Sequence, residues 1–537
     1  MKASDLFIKC LENEGVEYIY GVPGEENLDM LESIRNSKIK LILTRNEQTA
    51  VFMAATYGRL TGKTGVAIAT LGPGATNMLT GVAYAQLGGM PVIVITGQKP
   101  IKKSKQGQFQ IIDVVSMMKP VTKLSTSIVN GSRIPSTIRN AFKLAEAERP
   151  GAVAIELPED IAEEMVEDTF VPLEVEKIRR PVIDEKMLEI LKNKIEKAKC
   201  PIILVGAGAN RKRISKYLEK FITKNNIPFF SSQMGKGVVD ERLEQYLGTA
   251  ALTEKDYIHD AIKKADLILS VGYDVIEKPT NILGPNGTET IHINFYPATI
   301  DDVYFPKLEV VGDIGNIFWQ LDEIDLDNKN WDFSEIYKIN TENKKKIEAN
   351  LDLEKDSDTM FPRKLANNLR EVLKSDDILA LDNGLYKVWL ARNYPAYETN
   401  TILLDNALAT MGAGLASAMS AKILNPNKNV VCVTGDGGLV MNLGDLETAV
   451  RLNLDITIVV LNNSAYGMIK WKQKNAGFGD FGLDFGNPDF VKLALSFGAK
   501  GYKVENKSDF KGILEKTLSE KGIKIIDLAF DYPEKIS

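Results

Sequence analysis

The chain predicts an α/β protein built from three doubly wound parallel-sheet domains, and three observations carry that prediction. Short apolar runs alternate with helix-patterned segments along most of its 537 residues. Residues 66–98 carry no charged side chain, yet Gly72-Pro73-Gly74 and Gly88-Gly89 cut them into strand, helix and strand. That is a βαβ unit and not a membrane span, although its length alone would allow one. Residues 430–468 show the same pattern: an apolar run containing Cys432, a Gly435-Asp436-Gly437-Gly438 turn, helical spacing from Leu443 to Leu452, and a second strand from Ile456 to Leu461. A chain of this length exceeds one core, and about three domains follow from a typical size of ~150 residues.

The first domain is read over residues 1–165. It opens with an amphipathic helix running into the strand YIYG at Tyr18, and Asp5, Glu12, Glu14 and Glu17 argue against a secretory signal. The runs LILT at Leu41, VAIAT, PVIVIT, and VAIEL at Val153 supply further strands. Residues 163–181 turn from acidic to basic with two prolines and read as a linker. The central domain, 182–320, has strands expected at Ile202, Ile227, Leu267 and Ile291. Its GAGANR at 206–211 lacks the third glycine of a dinucleotide turn, so a structural role is favoured over a bound nucleotide. Residues 322–358 are highly charged and read as an exposed linker or a solvated helix. The third domain, 360–537, has strands expected at Ile378, Thr401, Val430, Ile456 and Ile525, and no short internal repeat is visible.

Composition narrows the class. A net charge of -6 with mixed signs gives no basic footprint for nucleic acid. Three widely spaced cysteines read as small buried hydrophobes, not as disulfide partners or metal ligands. A cytoplasmic enzyme with no membrane or nucleic-acid partner is the expectation.

The chemistry gathers at strand ends. In an open parallel sheet the turns after two neighbouring strands lie side by side, so Asp436 and Asn462-Asn463 can converge. One carboxylate and one amide are too few to cage an ion, which suits Mg²⁺ completing an octahedron with water and phosphate oxygens. The glycines let a diphosphate approach the backbone, and the helix after Gly438 can direct N–H groups at it. The competing reading is an ordinary Asp-Gly turn and an Asn-rich turn. Glu47 stands where a strand ends and a helix lined by Ala50, Ala54, Ala55 and Gly58 begins. On spacing alone it reads equally as a first-turn helix acid.

Gly435-Asp436-Gly437 followed by Asn462-Asn463 resembles the thiamine-diphosphate signature of the decarboxylase and acetolactate synthase superfamily. The segments VPG at Val22, GPGATN at Gly72 and TGQ at Thr96 look like its pyrimidine-binding domain. RPGAVAIELPEDI from Arg149, QFQIIDVVSMMKPVTK from Gln108 and DFGNPDFVKLALSFGAKG from Asp484 are similar to acetolactate synthase large subunits. The resemblance covers almost the whole chain.

It implies thiamine diphosphate and Mg²⁺ as cofactors, the metal held by the Asp436 and Asn463 side chains and the Ala465 carbonyl. Glu47 would be the catalytic carboxyl on the aminopyrimidine, sharing a proton with the ring nitrogen, a role that apolar surroundings favour. Pro23, Gly24, Pro73 and Asn77 would line the pyrimidine side of the cofactor. Gly384, Tyr386, Gly435, Gly437 and Gly438 would face the diphosphate. Tyr466, Gly467 and Met468 follow the metal ligands, and Met411 in ATMGAGLASA would prop the bend of the cofactor. Gln110 is implied near the reacting carbon with Phe109, while Met468 and Trp471 complete the substrate pocket.

The implied reaction decarboxylates one pyruvate and ligates the two-carbon unit to a second 2-oxo acid, giving 2-acetolactate and CO₂. The alternatives are another thiamine-diphosphate decarboxylase or carboligase of the same fold, and a catalytically silent homologue, which would be expected to lose Glu47, Asp436 or Asn463. Aldehyde release in this superfamily typically uses active-site histidines; here His259 lies in a charged, exposed-looking helix and His292 in a strand, and both read as structural. The chain departs from the family pattern at Leu71, where Ser is usual, and at Leu385 and Tyr386, where a polar residue or His is common. In the central domain SVGYDVIEKPT lacks both arginines of the family's flavin-binding stretch, which favours a flavin-free, catabolic type over an FAD-binding one. A homo-oligomer is implied, a dimer at least and a tetramer as the expected order. A regulatory small subunit and the acceptor 2-oxo acid are left open.

Overall fold

Three all-parallel sheets, each of six strands, organise the chain in a computed structural model that describes every residue except 104–106, 177–179, 251–257, 279–280, 356–359, 361, 531 and 533–537. The first sheet holds β1 (Tyr18–Gly21), β2 (Lys40–Leu43), β3 (Gly65–Ala69), β4 (Val92–Gln98), β5 (Leu124–Ser127) and β6 (Ala152–Pro158), in the order β2-β1-β3-β4-β6-β5. The second holds β7 (Pro201–Val205), β8 (Phe229–Ser232), β9 (Tyr246–Ala250), β10 (Leu267–Val271), β11 (Glu289–Asn294) and β12 (Leu308–Val311), in the order β12-β11-β10-β7-β8-β9. The third holds β13 (Ile378–Leu381), β14 (Ile402–Leu403), β15 (Val430–Gly435), β16 (Ile456–Asn462), β17 (Lys500–Lys503) and β18 (Ile523–Ala529), in the order β14-β13-β15-β16-β18-β17.

These orders locate the sites. Read from the first strand of each sheet, the first and third share one winding, 2-1-3-4-6-5, while the central sheet has the doubly wound order 3-2-1-4-5-6. Each order changes direction beside its first strand, and the crevice beyond the carboxyl ends of the strands at that reversal is where such sheets take ligands. The reversals fall between β1 and β3, β7 and β10, and β13 and β15. Central strands such as β4, β7 and β10 are buried at every position because helices cover both faces.

Two compact units result. One comprises Met1–Ile178, Leu415–Pro426 and Val440–Leu454; the other comprises Arg179–Gly414, Asn427–Leu439 and Asp455–Ser537. Two segments of the third domain thus belong with the first sheet. In that unit Thr56 Oγ1 lies 3.1 Å from Ser417 Oγ, Ser420 Oγ donates to the Met53 carbonyl, and the Arg45 amide donates to Asp445.

The strands expected at Ile202, Leu267, Ile291, Ile378, Thr401, Val430, Ile456 and Ile525 are present within a residue or so, whereas the one read at Ile227 begins at Phe229. Four edge strands, β5, β9, β12 and β17, were not anticipated. Residues 334–355 of the charged stretch form a helix; residues 356–358 of that stretch and 177–179 of the expected linker lie outside the described residues. His259 corrects the sequence reading: it is 3% exposed and faces a pocket of the central domain, because only one side of its short helix is polar. His292 is buried in β11 as a structural residue, its ring nitrogens bonded to Tyr304 Oη and the Tyr296 carbonyl. All three cysteines are free and buried. No described helix is long and apolar enough to cross a membrane.

Candidate active site

In the first unit, the turns after β1, β2 and β3 meet at the carboxyl edge of the sheet. Asn46 caps the helix Glu47–Thr61 by accepting the Gln48 amide, which sets Glu47 in its first turn. Asp445 accepts the Arg45 amide at 2.8 Å and the Thr448 hydroxyl, fixing the backbone just before Glu47. Burial pushes the Asp445 carboxyl up, against hydrogen bonds from Arg45, Thr49 and Thr448. Glu47 is half-buried, and its Oε2 accepts from Asn77 Nδ2 at 3.0 Å.

Space around Glu47 is made by glycine. A Cβ on Gly74 would come within 3.4 Å of Glu47 Oε1 and 2.9 Å of Thr70 Cγ2, and one on Gly24 would overlap Thr70 at 2.3 Å. Glu47 and Asn77 are thus brought together with Gly74, and Gly24 meets the same Thr70 that follows β3. Glu26 and Lys99 were not foreseen. Glu26 accepts from Thr70 Oγ1 and pairs with Lys99 Nζ at 2.7 Å, a charge pair beside the same turn. Phe109 and Gln110 are exposed; Gln110 adopts φ 58, and its carbonyl approaches Gly72.

In the second unit, Asp436 is 2% exposed at the end of β15. Its Oδ2 accepts the amides of Asn463 at 2.9 Å and Ser464 at 2.6 Å and the Asn487 side chain at 2.7 Å, while Oδ1 accepts the Gly437 amide at 2.8 Å. Asp436 and Asn463 thus converge across neighbouring strands, as predicted. Asn487 was missed, and so was the left-handed Ser464 (φ 53) that turns the chain there. Such a backbone in a non-glycine residue is held in place by its surroundings and is common at functional sites. The helix starts at Asp436 itself and not after Gly438. Among the described residues no three His, Cys, Asp or Glu gather to hold a metal; the set expected from the sequence has one carboxylate, an amide and a carbonyl.

Asp382, at the end of β13, organises the adjacent turns. It is 1% exposed and accepts the amides of Asn383 and Gly412 and the Thr434 hydroxyl. A Cβ on Gly438 would lie 2.4 Å from its Oδ2, so the second glycine after Asp436 serves this carboxylate. Tyr386 is buried with its ring against Gly384, and its hydroxyl accepts the Gly435 amide at 3.1 Å. Met411, Met468 and Trp471 are half-buried, and Tyr466 is exposed and tilted on Phe485.

The central reversal is closed from within. Glu277 is buried; its Oε1 accepts the Ala207 amide at 2.9 Å, and its Oε2 accepts from Ser232. A Cβ on Gly206 would meet Tyr273 Cα at 2.4 Å and Glu277 Oε1 at 2.7 Å, and one on Gly208 would meet the Gly272 carbonyl at 3.0 Å. Burial raises the Glu277 carboxyl to about 7, against hydrogen bonds from Ser232 and Ala207. The residues of this turn do not fit a dinucleotide, since the glycines make room for the chain's own backbone and carboxylate.

Known proteins agree with this layout. Three models of thiamine pyrophosphate enzymes match the chain: the N-terminal TPP binding domain over residues 1–117, the central domain over 188–321, and the C-terminal TPP binding domain over 382–528. The acetolactate synthase of Bacillus subtilis (strain 168) is 32% identical over all of this chain and 94% of its own length. A probable acetolactate synthase large subunit of Methanococcus aeolicus is 32% identical over all of the chain and 93% of its own. The catabolic acetolactate synthase of Raoultella terrigena is 29% identical over 98% of the chain and 95% of its own. With two TPP-binding domains whose turns gather around Glu47 and around Asp436, and with similarity along its whole length, the chain belongs to the acetolactate synthase family of thiamine pyrophosphate enzymes.

Proposed function

We infer that the protein is an acetolactate synthase that joins two molecules of pyruvate into 2-acetolactate with release of CO₂. The observation that carries this reading is the convergence of Asp436, Asn463 and Asn487 at a strand-order reversal within a TPP-binding domain. Thiamine diphosphate, when bound, supplies the acidic carbon that attacks a 2-oxo acid and the electron sink for decarboxylation. Asp436, the Asn463 side chain and the Ala465 carbonyl would hold Mg²⁺, with phosphate oxygens completing its shell. Gly435 and Gly384 would face the diphosphate with Tyr386 packed beside them, while the space a Cβ on Gly437 would take is bounded by Tyr466 and Phe485.

Glu47 would hold a proton against the pyrimidine ring, with Asn77 orienting its other oxygen. Phe109, Met468 and Trp471 would exclude water from the acceptor. Neither histidine lies at these turns, which disfavours protonation of the two-carbon unit to free aldehyde. The Glu47 half is completed, in this reading, by the Asp436 half of a second copy, making a dimer the smallest active form. The domain limits 1–165, 182–320 and 360–537 are proposed as the folding boundaries.

A flavin is not part of the proposal, because the Glu277 side chain already takes up the Ala207 amide of the central turn. The purified protein should accordingly lack flavin absorbance. To test the reaction, the enzyme is incubated with pyruvate, Mg²⁺ and thiamine diphosphate, and acetolactate is assayed as acetoin after acid decarboxylation. Acetaldehyde as the main product, or no consumption of pyruvate while another 2-oxo acid is consumed, would replace this reading with that of a different decarboxylase.

A further inference from the structure

A buried lysine stands close behind β13 in the Asp436 half. Lys387 is 3% exposed on the helix Leu385–Asn393. Its Nζ donates to Asn383 Oδ1 and, at 2.8 Å, to the Asp405 carbonyl. Asn383 passes the constraint on, donating at 2.5 Å to the Thr410 carbonyl, and Asp382 accepts the Gly412 amide at 2.9 Å. The Asp405 carboxylate accepts the amides of Ala407 and Leu408. The loop 405–412 is therefore tied at its start, near its end and at its last residue to three side chains that follow β13. Met411 stands between the last two ties.

An ammonium in this position is costly to bury, and an aliphatic chain would fill the same space without that cost. The charged groups facing it are Asp382, from the end of β13, and Asp405, from the segment after β14. Burial brings the amine down to about 8, with the two aspartates opposing the shift. A group retained at such cost, bonded directly to the start of one loop and through Asn383 to its far end, fixes that loop.

We propose that Lys387 is a positioning residue for the reaction, holding the 405–412 loop through Asn383 and Asp405 so that Met411 keeps the place a bent thiamine cofactor requires. This rests on the function proposed above. The group acts on the cofactor's geometry and touches no reacting atom. Its loss should slow the step that the bend serves while leaving cofactor retention nearly intact. Raising the pH through about 8 should have a smaller effect of the same kind, since a neutral amine keeps two donors but loses the charge that strengthens them.

The test uses the holoenzyme with saturating Mg²⁺ and thiamine diphosphate. Lys387→Met preserves length and bulk but has no donor. Hydrogen–deuterium exchange at the cofactor's C2 should slow by about tenfold or more, while the thiamine diphosphate Kd stays within about threefold. Wild-type exchange should decline as pH rises through about 8, and Lys387→Met should lack that decline. Asn383→Ala should produce the same loss, and the double variant should be no worse than the worse single one, because the two residues act as one relay. Exchange and pH profile in Lys387→Met equal to wild type would overturn the proposal, and so would multiplicative losses in the double variant. Should Lys387→Met fail to fold, unchanged exchange in Asn383→Ala overturns it. Absence of exchange in the wild type would instead remove the thiamine reading on which it stands.

Discussion

Replacing Asp436 tests two roles that the structure separates. The carboxylate accepts four N–H groups, three of them on Oδ2. Hydrogen bonds to a charged group contribute about 1.5–3 kcal/mol each, and a donor left without a partner costs about 1–3 kcal/mol. The sum overstates the loss, because Ser464 is exposed and water replaces part of what is removed. Asp436→Ala should therefore cost the apoprotein about 3–5 kcal/mol, a large part of a typical domain's 5–15 kcal/mol. Asp436→Asn keeps one oxygen. With that oxygen in the Oδ2 place, three donors stay satisfied and the new amide faces only the Gly437 N–H, so the cost falls to about 1–3 kcal/mol. The two variants should then diverge in stability but agree in cofactor binding, since both remove the proposed anionic metal ligand; a hundredfold weaker Kd corresponds to about 2.7 kcal/mol. Urea unfolding without cofactor reads the first quantity, and Mg²⁺-dependent titration of thiamine diphosphate reads the second. If Asp436→Ala unfolded at the wild-type midpoint and bound the cofactor as tightly, both the network and the metal assignment would be refuted.

Glu47→Gln should keep fold and cofactor yet slow exchange at the cofactor's C2 by about 10² or more, because an amide cannot share the proton; unchanged exchange would remove Glu47 from the mechanism. Mixing Glu47→Gln with Asp436→Asn protein, with exchange of subunits allowed, should restore part of the activity, and no recovery in proven heterodimers would place each site within one chain. Glu277, raised to about 7 from 4.5, keeps a proton in the folded state that the unfolded chain has released, so it lowers stability as pH rises across that window, by about 3 kcal/mol at most. Glu277→Gln should lose this slope, and a pH dependence of the urea midpoint identical to wild type would show that the carboxyl ionises equally in both states.

What was legible in the sequence was whatever depends on a strand end and the residues just beyond it. The alternation of strands and helices gave three sheets because buried parallel strands leave unbroken apolar runs, as in PVIVIT and VVCVT. Asp436 and Asn463 each follow such a run directly, whereas Glu47 stands beyond the edge strand β2 and is singled out by the resemblance. Edge strands such as LSTS at Leu124 and KGYK at Lys500 are half-exposed and carry no apolar run, so periodicity passes over them. Asn487 reaches Asp436 from a loop distant in sequence, and the approach depends on pairing between Ala465 and Asp484 that no local pattern announces. His259 was misplaced because the charges in EKDYIHDAIKKAD suggest a solvated helix while its apolar side faces inward. Neither Lys387 nor Glu277 stands out in the sequence, which shows a side chain's charge but not which partners burial supplies.

A carboxylate beyond a strand end recurs at all three reversals, and its surroundings decide what it does. Glu277 is enclosed, each oxygen taken by the chain itself, and it closes the central turn as an internal carboxyl that burial inclines to keep its proton. Asp382 is equally enclosed and spends its charge on holding three turns together. Asp436 is crowded on Oδ2, but among the described residues its Oδ1 accepts only the neighbouring Gly437 amide, leaving lone-pair capacity for a cation. Glu47 is the least committed, half-buried with one side-chain donor, and glycine clears the space beside it. The first and third sheets share one winding, so topology supplies the crevice in each. Coordination left open at the carboxylate then separates the two turns able to take a ligand from the one that has filled itself.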